Sequence, residues 1–182
     1  MKLTKMKTAA ICGLLTLYAC DKSTLNKTYD KFIGDSITIP YKSLDKRICS
    51  MYTDTTRTNR DYKLVSYIKM EGCGACKIGA LYAMDNMSSE KDDTYPLEPI
   101  YIIDISSKDV DYTYEELCKS RIKSPVYLDT CGIFRQANPR LPDNPLFHTF
   151  ILDETNAVVL IGNPYKNKKM TELLDKVMKR NR

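Results

Sequence analysis

The 182-residue sequence predicts one α/β domain with a mixed central sheet, a C-terminal β-hairpin and a closing helix. Three observations predict it. Apolar, β-branched runs at Leu64–Ile68, Ile100–Ile105 and Pro125–Asp129 alternate with helical spacing at Ile78, Leu81 and Met84 and again over Asp111–Arg121. Two strand-like runs, Phe147–Asp153 and Ala157–Gly162, flank Glu154-Thr155-Asn156, a three-residue spacing that marks a hairpin. Last, Lys168–Lys179 carries Met170, Leu173, Leu174, Val177 and Met178 on one stripe and lysines opposite. The alternation demands a parallel core with helices on both faces, and the hairpin adds antiparallel edge strands.

At 43% hydrophobic residues, the chain has enough apolar surface for one sizeable core. Its formal charge of +5 is concentrated at the start, where Lys2, Lys5 and Lys7 precede the first acid, Asp21. Without residues 1–19 the remainder carries 25 basic and 23 acidic side chains, an ordinary surface that gives no nucleic-acid footprint. The opening MKLTKMKTAAICGLLTLYAC has a lysine-rich start and an apolar stretch from Thr8 to Leu17, too short to span a bilayer. It reads as a signal peptide over residues 1–19. Leu17-Tyr18-Ala19-Cys20 resembles a bacterial lipobox, which makes Cys20 the expected lipidation site and mature N-terminus. The alternative is a plain secretory signal or an uncleaved anchor. Both place the chain outside the cytoplasm, where disulfides persist. Lipidation adds a membrane anchor facing the periplasm or cell exterior.

Residues 20–36 read as the lipidated end and a polar tether, leaving 37–182 as the folded domain. Ile37–Tyr41 is a short strand expected at an edge because of Pro40. Leu44, Ile48 and Met51 suggest a helical turn or an irregular strand, and Thr53–Arg60 a polar loop. Ser88–Pro99 reads as a connecting loop and Ile133–Ala137 as a helical turn, while Thr113 or Asp111 is the expected cap of the second helix. Phosphate loops, HExxH zinc motifs and GxSxG elbows are all absent from the sequence.

The chemistry-bearing stretch is Lys63–Met84. An apolar strand stops at Glu71-Gly72, and Cys73-Gly74-Ala75-Cys76 opens the helix that follows. Cysteines three apart at a helix start lie on one face within bonding reach. The free backbone N–H groups and positive dipole end there stabilise a thiolate. Cys73 is the expected nucleophile and Cys76 the resolving thiol one turn in. Two structural cysteines, or half of a zinc site, are the alternatives, and the strand–CxxC–helix context favours redox chemistry. Setting aside Cys12 in the signal and Cys20 leaves Cys49, Cys73, Cys76, Cys118 and Cys131, an odd number with one free thiol or an external partner. Cys49 and Cys118 read as packing residues.

These features resemble the thioredoxin superfamily. CxxC after the first core strand, a further βα unit and a terminal hairpin plus helix follow its layout. PVYLD and HTFILDETNAVVLIGNP look like the thioredoxin-like lipoproteins of Gram-negative gut anaerobes. The resemblance covers residues 37–182 and implies a three-layer sandwich. Against the family's WCGPCK, this chain has Gly72 for tryptophan and Ala75 for proline. The buried acid of the preceding strand falls at Tyr67, so that proton relay is missing, and Glu71 either serves partly in its place or raises the thiol pKa. The family's cis-proline before the hairpin falls at His148, the sole histidine, with Pro145 displaced. His148 either sits against the cysteines as an auxiliary catalytic group or is a loop residue without chemistry.

The leading expectation is an extracytoplasmic, membrane-anchored thiol–disulfide oxidoreductase using Cys73–Cys76, with no cofactor or metal. Its partners would be protein disulfides or dithiols and a redox partner of unknown identity. The second is a redox-inert thioredoxin-fold binding lipoprotein of the envelope. The third is copper or zinc handling with Cys73, Cys76 and His148 as ligands.

Overall fold

The structure is a computed structural model that describes residues 23–49, 57 and 59–180. The expected signal segment and Cys20 lie outside these residues. A helix over 23–32 (α1) leads into six strands and four further helices. In chain order these are β1 Asp45–Arg47, β2 Tyr62–Lys69, α2 Gly74–Glu90, β3 Leu97–Asp104 and α3 Val110–Lys119. They are followed by β4 Val126–Asp129, α4 Ile133–Ala137, β5 Thr149–Leu152, β6 Val158–Ile161 and α5 Lys168–Arg180.

The strands form one mixed sheet in the order β1-β4-β3-β2-β5-β6. β2, β3 and β4 run parallel, β5 and β6 form the antiparallel hairpin beside β2, and β1 is an antiparallel edge on β4. The crossovers β2-α2-β3 and β3-α3-β4 step the same way along the sheet, so the right-handed rule puts both helices on one face. Leu81 and Met84 of α2, Leu117 of α3 and Leu174 of α5 accordingly share one core with Leu64, Tyr101 and Ile151. Phe32 of α1 and Phe134 of α4 pack on the opposite face with Val65, Tyr67, Ile102 and Phe150. The result is the expected three-layer α/β sandwich.

Several boundaries differ from expectation. The tether ends early: Leu25 and Phe32, seven positions apart on α1, share a face. Phe32 is 1% exposed and meets Phe150 edge-on at 5.5 Å. The expected strand Ile37–Tyr41 is not one. Ser36 makes a single bridge to Ala157 at the sheet edge. Beyond it the Asn138 side chain takes both the Thr38 N–H and the Thr38 carbonyl at 2.8 Å, so a side chain replaces the neighbouring strand. A strand forms instead at β1.

The loop expected over Ser88–Pro99 is shorter, because α2 runs to Glu90 and β3 starts at Leu97. Pro99 is tolerated inside β3 because β4 pairs only from Tyr101 onward, which leaves an edge at the proline. The α3 cap also shifts: a 3-10 turn, Ser107–Asp109, leads into the helix, and Thr113 is buried. The hairpin turn is built as expected. The Asp153 carboxylate accepts from Thr155 N and Ala157 N at 2.9 and 3.0 Å, and Asn156 takes φ +63°. Asn167 caps α5 by accepting from Met170 N at 3.0 Å.

If α1 belongs to the core, Phe32→Ala lowers the unfolding free energy by about 3–5 kcal/mol, as for other buried phenylalanines. Urea denaturation measures this, and an unchanged midpoint would return the segment to a tether.

Candidate active site at the start of helix α2

β2 ends at Lys69, and the chain must turn sharply to enter α2. Gly72 makes that turn at φ +77°, a left-handed conformation that strains any side chain with a Cβ. Glycine at the family's tryptophan position is thus a backbone requirement here. Cys73 is the N-cap of α2, with extended φ −74° and ψ 93°, and its Sγ accepts from Cys76 N at 3.3 Å. The two cysteines are joined as a disulfide with Cα atoms 5.4 Å apart.

No acidic residue sits in the first turn of α2, so no carboxylate within that turn offsets the positive end of the helix. Both cysteines are exposed, Cys73 at the cap and Cys76 in the first turn, so burial alone does not separate the two thiols. Lys77 follows directly. Its Nζ donates to the carbonyls of Lys69 and Glu71, tying the helix start to the strand end.

The position expected to replace the family's buried acid is filled by Tyr67. It is 2% exposed and donates to the Asp104 carboxylate at 2.5 Å. Burial, and then that hydrogen bond, raise the Tyr67 pKa, so the phenol stays protonated. Glu71 is exposed and supplies no buried acid.

A cleft of about 370 Å³ opens at the end of β2, lined by Tyr67, Lys69, Glu71, Lys77, Asp143 and His148 among others, with neither cysteine in its lining. Glu71 and Lys77 bracket the CxxC in sequence, which sets His148 across the same cleft. His148 ends a 3-10 turn, Pro145–Phe147, and is 5% exposed. Its Nε2 donates to the Pro142 carbonyl at 2.9 Å and its ring stands edge-on to Tyr67 at 5.1 Å. Its backbone N–H bonds Pro145 O, and its carbonyl accepts from Tyr67 N at 2.8 Å. Among the described residues no hydrogen bond links it to either cysteine. The peptide bonds of the described residues are all trans. Nor do three or more His, Cys, Asp or Glu side chains among the described residues come together to hold a metal ion. The ligand set Cys73–Cys76–His148 is therefore not assembled.

The remaining cysteines correct the sequence reading. Cys49 and Cys118, expected as packing residues, form a second disulfide across 69 positions, with Cα atoms 5.3 Å apart. Cys131 is free and exposed just past β4. There the buried Asp129 carboxylate takes the N–H groups of Cys131, Ile133 and Phe134 and starts α4. The sequence also gave no warning of Arg57, in the expected polar loop, which is 3% exposed beside the wholly buried Asp85 of α2.

Burial lowers the His148 pKa from its ordinary 6.5, with Arg135 and Lys69 adding to the effect against the Pro142 bond. The unfolded imidazole takes up a proton near its ordinary value, whereas the folded one resists until lower pH. In that window the unfolded state binds more protons, so this contribution is complete above the unfolded pKa and is lost as pH falls toward the folded one. Stability measured between about pH 7.5 and 5 should therefore fall more steeply in the wild type than in His148→Gln. Parallel curves would mean the imidazole is not held neutral.

No protein-family model and no curated protein matches the chain. Solved structures do. A putative thiol:disulfide interchange protein DsbE from Chlorobium tepidum is similar at 12% identity and TM-score 0.50, over 81% of this chain and 96% of that one. An uncharacterized thioredoxin-like protein from Porphyromonas gingivalis matches at 18% identity and TM-score 0.46, over 65% and 74% of the two chains. A putative protein disulfide isomerase from Bacteroides thetaiotaomicron matches at 16% and 0.40, over 65% and 70%. At such identities the likeness is one of architecture, and it rests on the first of these together with the strand order. The chain has a thioredoxin-like fold.

Proposed function

We propose that this chain is a thiol–disulfide oxidoreductase held at a bacterial membrane through lipidated Cys20 and facing the periplasm or cell exterior. One observation carries the chemistry: an exposed Cys73–Cys76 disulfide capping the N-terminus of α2. In the reducing direction, the Cys73 thiolate attacks a substrate disulfide and expels one substrate thiolate, which takes a proton. The Cys76 thiolate then attacks Cys73 Sγ and expels the second. Two electrons pass to the substrate, and the pair returns to the disulfide. The helix N-terminus favours the thiolate at each stage. An oxidase runs the same steps in reverse. The C. tepidum neighbour, by its description a thiol:disulfide interchange protein, is consistent with this reading.

The main-chain groups of His148 favour a second reading, a redox-inert binding lipoprotein of the envelope. Its N–H and carbonyl are both bonded internally, so they do not offer a free edge to an extended substrate. Activity separates the two. Cys73→Ser should abolish reduction of insulin disulfides, and Cys76→Ser should accumulate mixed disulfides seen on non-reducing gels. A wild type without turnover together with a Cys76→Ser variant without trapped adducts identifies the binding protein.

The anchor has its own test. Only Asp21 and Lys22 lie between Cys20 and the described helix, so a lipid at Cys20 would hold the domain close to the membrane. Expressed in a bacterium that processes lipoproteins, the full chain should fractionate with membranes and incorporate labelled palmitate. Cys20→Ser should do neither. Equal membrane recovery of the two removes the lipid anchor.

A further inference from the structure

The second disulfide and the buried arginine belong to one stretch of chain, and together they reach both crossover helices. Asp85 of α2 is 0% exposed. It accepts from Tyr101 Oη at 3.2 Å, Lys123 N at 2.6 Å and Ser124 Oγ at 2.5 Å, with the Arg57 guanidinium 3.9 Å away. Arg57 also donates to Ser88 Oγ on α2 and to Asp92 at 3.1 Å. A charge buried this deeply is tolerated only while its counter-charge stays in place.

Arg57 comes from the segment between β1 and β2, not from a helix or strand. On the β2 side it is secured by Arg60, bound to Asp92 at 2.8 Å, and by the strand itself. On the other side, among the described residues, β1 pairs over three residues at the sheet edge. Tyr114 Oη of α3 donates to Ile48 O at 3.0 Å, and Arg47 lies over the Tyr114 ring at 5.3 Å. The Cys49–Cys118 bond is the covalent anchor there.

The two disulfides also differ in electrostatic setting. Cys73 is the N-cap of α2, at the positive end of a helix. Cys118 lies in the last turn of α3, at the negative end, where a thiolate is disfavoured and makes a poor leaving group. Cys49 is 8% exposed and Cys118 half-buried, so a reductant has less access to this bond than to the other pair, both of whose members are exposed.

We propose that Cys49–Cys118 is a non-exchanging staple that keeps Arg57 seated against Asp85 and so holds the rear of the helix whose front carries Cys73–Cys76. The name non-exchanging rests on the proposed exchange role of Cys73–Cys76, but the stapling does not. Reduction by dithiothreitol would pass two electrons to the bond, giving thiols at Cys49 and Cys118 and a cyclic disulfide in the reagent.

Graded dithiothreitol on the full chain, followed by alkylation and peptide mapping, tests the order. Cys73 and Cys76 should label at low reductant and Cys49 and Cys118 only at high reductant. The melting temperature should fall by roughly 10 °C with the second step and hold through the first. Cys49→Ser/Cys118→Ser should show the drop without reductant, and adding Arg57→Met should cost less than the sum of the separate losses. In a Cys73→Ser/Cys76→Ser background dithiothreitol should still lower the melting temperature, which judges the staple whether or not insulin is reduced. Labelling of Cys49 and Cys118 together with or before the other pair overturns the proposal. So does an unchanged melting temperature, or strictly additive losses. Should the serine double variant fail to fold, the reductant series on the wild type decides.

Discussion

The structure depends on β2 being buried on both faces and paired on both edges. Leu64 and Val65 are each 0% exposed, and they face opposite cores. The strand pairs with β3 from Tyr62↔Leu97 to Lys69↔Asp104 and with β5 from Lys63↔Leu152 to Ser66↔Thr149. A slip of one residue would turn every side chain to the wrong layer, so its register admits no alternative. The end of β2 is fixed in turn, and with it Gly72, the Cys73 cap and the start of α2. Because β5 leaves the ladder at Ser66 while β3 continues to Lys69, the last residues of β2 border a cleft where the hairpin diverges. The cleft at the end of β2 is a consequence of unequal strand pairing.

A second theme is the use of helix ends. The exposed pair occupies the positive end of α2, with Lys77 folded back over the strand carbonyls. The other disulfide, buried at Cys49 and half-buried at Cys118, ends on the negative end of α3. The same covalent bond thus sits in two opposed electrostatic settings within one layer. The proposed division of labour, exchange at one and stapling at the other, follows from that opposition and from access to solvent. The opposite layer is held differently, by phenylalanine packing around Phe32 and by Asn138 and Asp129 satisfying loop N–H groups.

Much of this was legible because it is local or periodic. β2, β3 and β4 show as apolar runs, α5 as a stripe, the hairpin as a short polar spacer between strands, and the CxxC as two cysteines one helical turn apart. Ile133–Ala137 is a helix over the residues expected. What was misread lacks such a local signal. Ile37–Tyr41 has strand composition, yet past the Ile37 N–H bond to Asn156 O its partner at Thr38 is a side chain a hundred positions away. The segment expected as a tether is polar except for a few residues, and Phe32 becomes a core residue only when Phe147 and Phe150 arrive to meet it.

By itself, the sequence determined the layer order, the strand–CxxC–helix unit and the adjacency of Cys73 and Cys76, because each follows from spacing within a few residues. Only the tertiary structure decided that Cys49 meets Cys118, that Arg57 lies buried beside Asp85, and that His148 spends its ring nitrogen on Pro142. Those pairings join distant stretches or depend on how a loop folds over the sheet. No periodicity encodes them, since the free energy that selects them comes from burying a group where just one partner is within reach.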